Sequence, residues 1–191
     1  MLVITLVSAF SLSAFPLTPD TLTITLAHDS EAERATARQV RELYARHDFR
    51  DWVVTDKILI DEEEIPHSHP VLTLHARHLH EPDNLLSTFL HEEFHWWVDG
   101  RREALDSSIA EFREIWPDVP SSQDGGARDE YSTYLHLVVC DLELQATSLL
   151  VGEPAAREAL ERLDHYGWIY KRVLGDSRVR EVMRTHGFIL R

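Results

Sequence analysis

Residues 82–99 read Pro-Asp-Asn-Leu-Leu-Ser-Thr-Phe-Leu-His-Glu-Glu-Phe-His-Trp-Trp-Val-Asp and decide how the whole chain is interpreted. The opening Pro-Asp-Asn favours a helix start, and Gly100 favours a helix end. Apolar residues recur between them at helical spacing, namely Leu86, Phe89, Leu90, Phe94 and Trp97. The pattern predicts an amphipathic helix, the motif helix, in which His91 and His95 lie on one face because they are four residues apart.

Two histidines on one helical face can present both imidazoles to a single ion, at the Zn–N distance of about 2.0 to 2.1 Å. Glu92 would then lie beside the ion rather than on it. Its carboxylate would be free to take a proton from a water that the ion activates. The pattern His91-Glu92-x-x-His95 therefore predicts one zinc ion per chain, with Glu92 as the general base.

A catalytic zinc takes three protein ligands, so a third ligand must come from elsewhere. Val98 and Arg101 occupy the positions where an extended motif would have a glycine and a further histidine. We predict Glu130 as the third ligand, because it begins a long helix after a loop rich in glycine and proline. Other candidates on that helix are Asp129, His136, Asp141 and Glu143. Acidic residues at positions 129 and 130 also complement a helix N-terminus without any metal.

The other periodicities predict an α+β fold. Strands are expected at residues 21–27, 52–60 and 71–78, and helices at residues 30–47, 82–99, 106–116, 129–151, 154–173 and 177–186. Residues 117–127 carry prolines, serines and glycines, and form the clearest predicted loop. This loop is also the best candidate for a boundary between two lobes.

The motif helix, followed some 35 residues later by a helical glutamate, resembles the gluzincin branch of the zincin metallopeptidases. The resemblance implies a single zincin-like catalytic domain over residues 18–191. Its N-terminal lobe (18–100) would contain a mixed sheet, helices and the motif helix. Its helical C-terminal lobe (101–191) would supply Glu130, with the active-site cleft between the lobes. The implied activity is zinc-dependent hydrolysis of peptide bonds in a peptide or protein substrate.

The resemblance also implies roles for other residues. The strand at residues 71–75 would be an edge strand that pairs antiparallel with an extended substrate. Tyr166 or Tyr170, one helical turn apart, would donate a hydrogen bond to the developing oxyanion, although both also suit aromatic packing. Glu93 departs from the family, which usually has uncharged residues at this position, and we expect it to face solvent or pair with a basic residue.

Composition limits the partners and the metal ligands. The formal charge of −14 would repel phosphate backbones, so nucleic acid is not an expected partner. The single cysteine, Cys140, excludes an intrachain disulfide and a cysteine-rich zinc site. Any metal must therefore be held by histidines and carboxylates. His67, His69, His75, His78 and His80 lack a fixed metal-site spacing, and the acidic run at residues 61–64 is best explained as a solvated turn.

Residues 1–17 are almost wholly apolar or small, with no Lys or Arg before Arg34. They predict a signal peptide or tether, and hence a secreted, periplasmic or membrane-tethered protein. The alternative is a buried first strand at residues 2–7 in a cytoplasmic protein. The segment is too short and too interrupted to predict a stable membrane span.

Two other functional hypotheses compete with a peptidase. One is a non-catalytic zinc-stabilised binding or regulatory module, in which His136 or Asp141 closes the site as a fourth ligand. The other is an accidental motif in an ordinary α+β domain, which would bind no zinc.

Overall fold

The computed structural model describes residues 22–191, so the predicted signal peptide or tether lies outside the described residues. The described chain is α+β, with a three-stranded sheet and seven α-helices. The strands are β1 (Thr23–Leu26), β2 (Lys57–Ile60) and β3 (Leu72–Leu74). The helices are α1 (Glu31–Arg46), α2 (Pro82–Asp99), α3 (Arg102–Ile115), α4 (Glu130–Val151), α5 (Glu153–Glu161), α6 (Gly167–Gly175) and α7 (Ser177–Thr185).

The sheet has the order β1-β2-β3 with both pairs parallel. Helix α1 makes the crossover from β1 to β2 and begins with a capping box between Ser30 and Glu33. The buried Glu33 carboxylate also accepts the backbone N–H groups of His28 and Glu62. This carboxylate therefore ties the start of α1 to the chain on either side of it.

The third strand is shorter than predicted, and its outer edge differs from the expectation. A 3₁₀ turn at Ala76–His78 follows β3 directly. On the outer side, His67 and Thr73 exchange two antiparallel backbone hydrogen bonds of 3.2 and 2.8 Å. The chain itself therefore occupies part of the edge that we expected a substrate to pair with. This isolated bridge is the antiparallel component of a sheet that is otherwise parallel.

The second strand begins later than predicted, at Lys57 instead of residue 52. Trp52 and Val53 are buried, but the N–H groups of Val54 and Thr55 bond to the side chain of Glu93 rather than to a neighbouring strand. The Glu93 carboxylate thus takes the place of a neighbouring strand as the hydrogen-bond acceptor there. Strand pairing starts only at Lys57.

The long helix α4 forms the centre of the helical part and contacts α2, α3, α5, α6 and α7. It is also the one helix among residues 22–191 that is long and apolar enough to cross a membrane. Because 72% of its most apolar window is buried inside the protein, it has the character of a core helix. The apolar face of α2 packs on it, and the buried side chains of the sheet and helices form one hydrophobic cluster.

The helix predicted over residues 154–173 is divided into α5 and α6 by a short connection. Tyr166 ends this connection in a left-handed conformation, with φ of 52°. The loop before α4 packs against this point, because the Trp168 N–H donates to the Gly125 carbonyl at 3.0 Å. A Cβ on Gly126 would lie 2.1 Å from the Pro120 carbonyl oxygen, so only glycine fits there. Arg128, which follows this loop, and residues 163–166 of the connection line the cavity described below.

Candidate metal centre

Three histidines from two packed helices come together at the wall of a cavity. His91 and His95 lie on α2, and His136 lies on α4. One ring nitrogen of each lies within 4.8 Å of the others, and the ring centroids are 5.0 to 5.5 Å apart. The cavity has a volume of about 610 Å³ and is lined by all three rings. The three side chains can therefore hold a metal ion together.

Hydrogen bonds fix the orientation of two of these rings. The Nδ1 atom of His91 lies 2.9 Å from a carboxylate oxygen of Glu143, and the Nδ1 atom of His136 lies 2.6 Å from the Ser132 carbonyl oxygen. Both partners are acceptors, so Nδ1 must carry the hydrogen in each ring. In the neutral form of each ring, Nε2 is then left with a free lone pair, as in histidines that bind metals.

The electrostatics also favour neutral imidazoles at two of the three positions. Burial, followed by the neighbouring charge of His91, lowers the pKa of His95 to about 2 and that of His136 to about 3. Burial acts in the same direction on His91, but Glu143 and Cys140 outweigh it and raise its pKa well above the usual value. Because a ligand must be deprotonated, His95 and His136 are ready to coordinate near neutral pH, and His91 is paired with an anion that orients it.

Glu92 lies beside the three histidines and lines the same cavity. Its side chain is buried, and burial is the largest cause of a pKa raised to about 7. A carboxyl group with this pKa can accept and return a proton close to neutral pH. The carboxyl group that we predicted as the base therefore lines the same cavity as the three histidines.

Glu143 on α4 is the polar centre behind the histidines. Its carboxylate is fully buried and accepts hydrogen bonds from the Ser87 hydroxyl, from His91 and from the Tyr170 hydroxyl, the last at 3.0 Å. Cys140 is also buried there, with its sulfur 3.9 Å from Nδ1 of His91. His91, Cys140 and Glu143 thus form a second group with metal-ligating atoms within 4.8 Å of one another, on the side of His91 away from its free Nε2.

Glu130, our predicted third ligand, is not brought to the two motif histidines. Its side chain is 56% exposed and accepts a 2.7 Å hydrogen bond from Arg113 on α3. Glu130 lies six positions before His136, and at 100° per residue the two side chains point roughly 120° apart around α4. His136, Cys140 and Glu143 instead share the face that packs on α2. That spacing was visible in the sequence, but the face that meets α2 was not.

The two other acidic candidates on α4 also have different partners. Asp129 caps the helix by accepting the Ser132 N–H at 2.7 Å. This agrees with the alternative that Asp129 complements the N-terminus of α4 without any metal. Asp141 is buried and accepts hydrogen bonds from Gln145 and Arg180. Neither side chain belongs to a group with the motif histidines in the described part of the chain.

The two predicted tyrosines lie near the centre, but in different environments. Tyr170 also lines the cavity, but its buried hydroxyl donates to Glu143 and so supports the orientation of His91. The Tyr166 ring lies 4.3 Å from the ring of His136, lines the cavity, and has no hydroxyl hydrogen bond to residues 22–191. Tyr166 is therefore the better placed of the two for an oxyanion donor. His165, which precedes Tyr166, lines the same cavity.

Glu93 neither faces solvent nor pairs with a basic residue, contrary to expectation. Its side chain is fully buried, and one carboxylate oxygen accepts the N–H groups of Val54 and Thr55 at 2.8 and 3.3 Å. Burial raises its pKa to about 7. The residue fastens α2 to the chain before β2 and so helps to fix the helix that carries the two histidines.

The histidines between residues 67 and 80 are dispersed. His67 lines the cavity, whereas His69 stacks on Trp96 with ring centroids 3.8 Å apart. His78 pairs with Glu81 at 3.1 Å. Among residues 22–191, none of these histidines belongs to a group that could hold a second metal ion.

No known protein family, no curated protein and no solved structure matches this chain significantly.

Proposed function

We propose that the chain is a zinc-dependent hydrolase that cleaves peptide bonds, with zinc held by His91, His95 and His136 and with Glu92 as the general base. The observation that carries the proposal is the meeting of three imidazoles and a buried carboxyl group on the wall of one cavity. His136 takes the place that we had predicted for Glu130. The zincin part of the resemblance is retained in this proposal, but the gluzincin branch is not, because its defining ligand is a glutamate.

The donor set fits zinc. Three neutral imidazoles are a known ligand set for catalytic zinc, and they leave a coordination position open. Two rings have Nδ1 bonded to an acceptor, which is the usual second contact of a zinc-binding histidine. A harder ion such as magnesium or calcium would instead require oxygen ligands.

A zinc ion bound there supplies a Lewis acid, which acidifies a water molecule and polarises a carbonyl group. Glu92 accepts a proton from the attacking water and delivers it to the leaving amine, for which a pKa near 7 is suitable. Tyr166, whose ring lies beside that of His136, donates its phenolic hydrogen to the oxyanion. Glu143 and Tyr170 hold His91 in place throughout the reaction.

The competing hypothesis is a non-catalytic zinc module, and one observation favours it. Cys140 and Glu143 form a second ligand group with His91, so an ion could be enclosed by protein atoms there. The enzyme hypothesis is better supported, because the three-histidine group opens to a large cavity that also contains a carboxyl group with a pKa near 7. A purely structural site needs neither feature.

The first test is the zinc content of the purified full-length protein and of two variants. We expect one zinc per chain in the native protein, strong loss in His136→Ala, and no loss in the matched control Glu130→Ala. Zinc retained by His136→Ala and lost by Glu130→Ala would reverse the ligand assignment. No zinc in the native protein after reconstitution would refute the proposed function.

The second test distinguishes the enzyme from the non-catalytic zinc module. Glu92→Gln is expected to keep its zinc and lose nearly all turnover of a peptide library, because the amide cannot accept the proton. Full turnover by this variant would refute the mechanism. A zinc-loaded native protein that cleaves no peptide, and that unfolds when zinc is removed, would favour the structural module.

A further inference from the structure

Arg77 lines the cavity beside the three histidines, and within residues 22–191 its guanidinium forms no salt bridge. It lies in the 3₁₀ turn that follows β3, where the His75 side chain accepts its backbone N–H at 2.8 Å. This bond fixes the backbone at Arg77, and the guanidinium remains exposed. By contrast Arg128, the other arginine of the cavity, pairs with the adjacent Asp129 at 3.1 Å.

The acidic groups of the cavity are already committed to other partners. Glu143 accepts hydrogen bonds from three side chains, and the exposed Asp164 lies 3.7 Å from His165. Glu92 is the proposed base. The charge of Arg77 is therefore available to a ligand, although the chain as a whole carries a formal charge of −14. An unpaired cation beside a candidate reaction centre in an acidic protein would attract an anion to that place.

We infer that Arg77 binds a carboxylate group of the substrate and makes this site selective for peptides that carry one close to the cleaved bond. The inference rests on the proposed hydrolase function and adds a substrate class to it. Guanidinium is suited to the task because its planar donors match the two oxygens of a carboxylate. The carboxylate could be the C-terminus of a peptide or an acidic side chain, and both sources share this chemistry.

Binding of two zinc-chelating probes tests the inference without a known substrate. The probes are the monohydroxamate of succinic acid, which carries a carboxylate, and its primary amide. Both are titrated calorimetrically into the zinc-loaded protein and into Arg77→Gln, Arg77→Lys and the control Arg38→Gln. Arg38 is exposed and unpaired within the described residues, but it lies on α1 outside this cavity.

We expect the native protein and Arg38→Gln to bind the carboxylate probe roughly tenfold more tightly than the amide, as for one charge-assisted hydrogen bond. Arg77→Gln should bind the two probes equally, and Arg77→Lys should retain part of the preference. A preference that survives in Arg77→Gln, or equal binding of both probes by the native protein, would overturn the inference alone. Binding of neither probe by the zinc-loaded protein would overturn the proposed function as well.

Peptide cleavage then distinguishes the two sources of the carboxylate. Free and C-terminally amidated peptides form one pair of substrates, and peptides with Glu and Gln next to the cleaved bond form the other. If amidation abolishes cleavage, Arg77 binds the C-terminal carboxylate of the peptide. If the peptide with Gln is not cleaved and the one with Glu is, Arg77 binds an acidic side chain. Cleavage that responds to neither change refutes carboxylate recognition.

Discussion

Replacement of Glu143 by Gln should weaken zinc binding without removing a zinc ligand. The Glu143 carboxylate accepts hydrogen bonds from Ser87, His91 and Tyr170, and its side chain is fully buried. A glutamine has the same shape, but it offers one oxygen and an NH₂ group that is itself a donor. At least one of the three donors would therefore lose its acceptor, and the negative charge beside His91 would disappear.

The magnitude follows from the same contacts. A hydrogen bond to a charged group contributes about 1.5 to 3 kcal/mol, and changes to such supporting partners usually weaken metal binding by about 10- to 100-fold. That range corresponds to about 1.4 to 2.7 kcal/mol, so loss of the single bond to His91 accounts for it. Tyr170→Phe removes one donor and leaves the charge in place, and it should weaken zinc binding by about fivefold or less.

Competition with a chromophoric chelator measures the zinc dissociation constants of the three proteins. Thermal unfolding with and without zinc shows whether a variant is simply misfolded, because bound zinc must still raise the melting temperature of a folded one. A Glu143→Gln variant that is folded and binds zinc within threefold of the native value would refute the supporting role of Glu143. If Tyr170→Phe binds zinc more weakly than Glu143→Gln does, the expected order of the two effects is refuted.

Three further variants test other contacts. Tyr166→Phe should keep its zinc and lose about 100-fold in kcat if the phenol stabilises the oxyanion, whereas unchanged kcat would remove Tyr166 from the mechanism. Glu93→Ala should lower the unfolding free energy by about 2 to 4 kcal/mol in denaturant titration, because the N–H groups of Val54 and Thr55 lose their acceptor. A loss below about 0.5 kcal/mol would contradict this role. Gly126→Ala should lower the melting temperature by several degrees because its Cβ would collide with Pro120, and an equal melting temperature would show that the loop adapts.

Local patterns in the sequence predicted the motif helix correctly. Its ends, its apolar face and the common face of His91 and His95 depend on residues within one helix, where the i, i+4 geometry is fixed by the backbone. The α+β class and the loop at residues 117–127 were also predictable, because β-branched alternation and clusters of proline and glycine act locally. The signal or tether at residues 1–17 stays a prediction.

The sequence was less informative where one element ends because another packs against it. β2 starts late since Glu93, almost forty residues away, takes the N–H groups that a strand would have used. The helix expected over residues 154–173 is interrupted between α5 and α6, where the loop before α4 bonds to the start of α6. Neither contact has a signature within a window of neighbouring residues.

The sequence by itself determined two histidines and a carboxylate on one helical face, and with them the prediction of a metal site. Only the tertiary structure decided which side chain joins them. Every candidate on α4 was compatible with the sequence, because a helix presents residues in all directions and its periodicity does not say which direction another helix will cover. Packing of α4 on α2 selected the face of His136 and Glu143 and turned Glu130 toward Arg113.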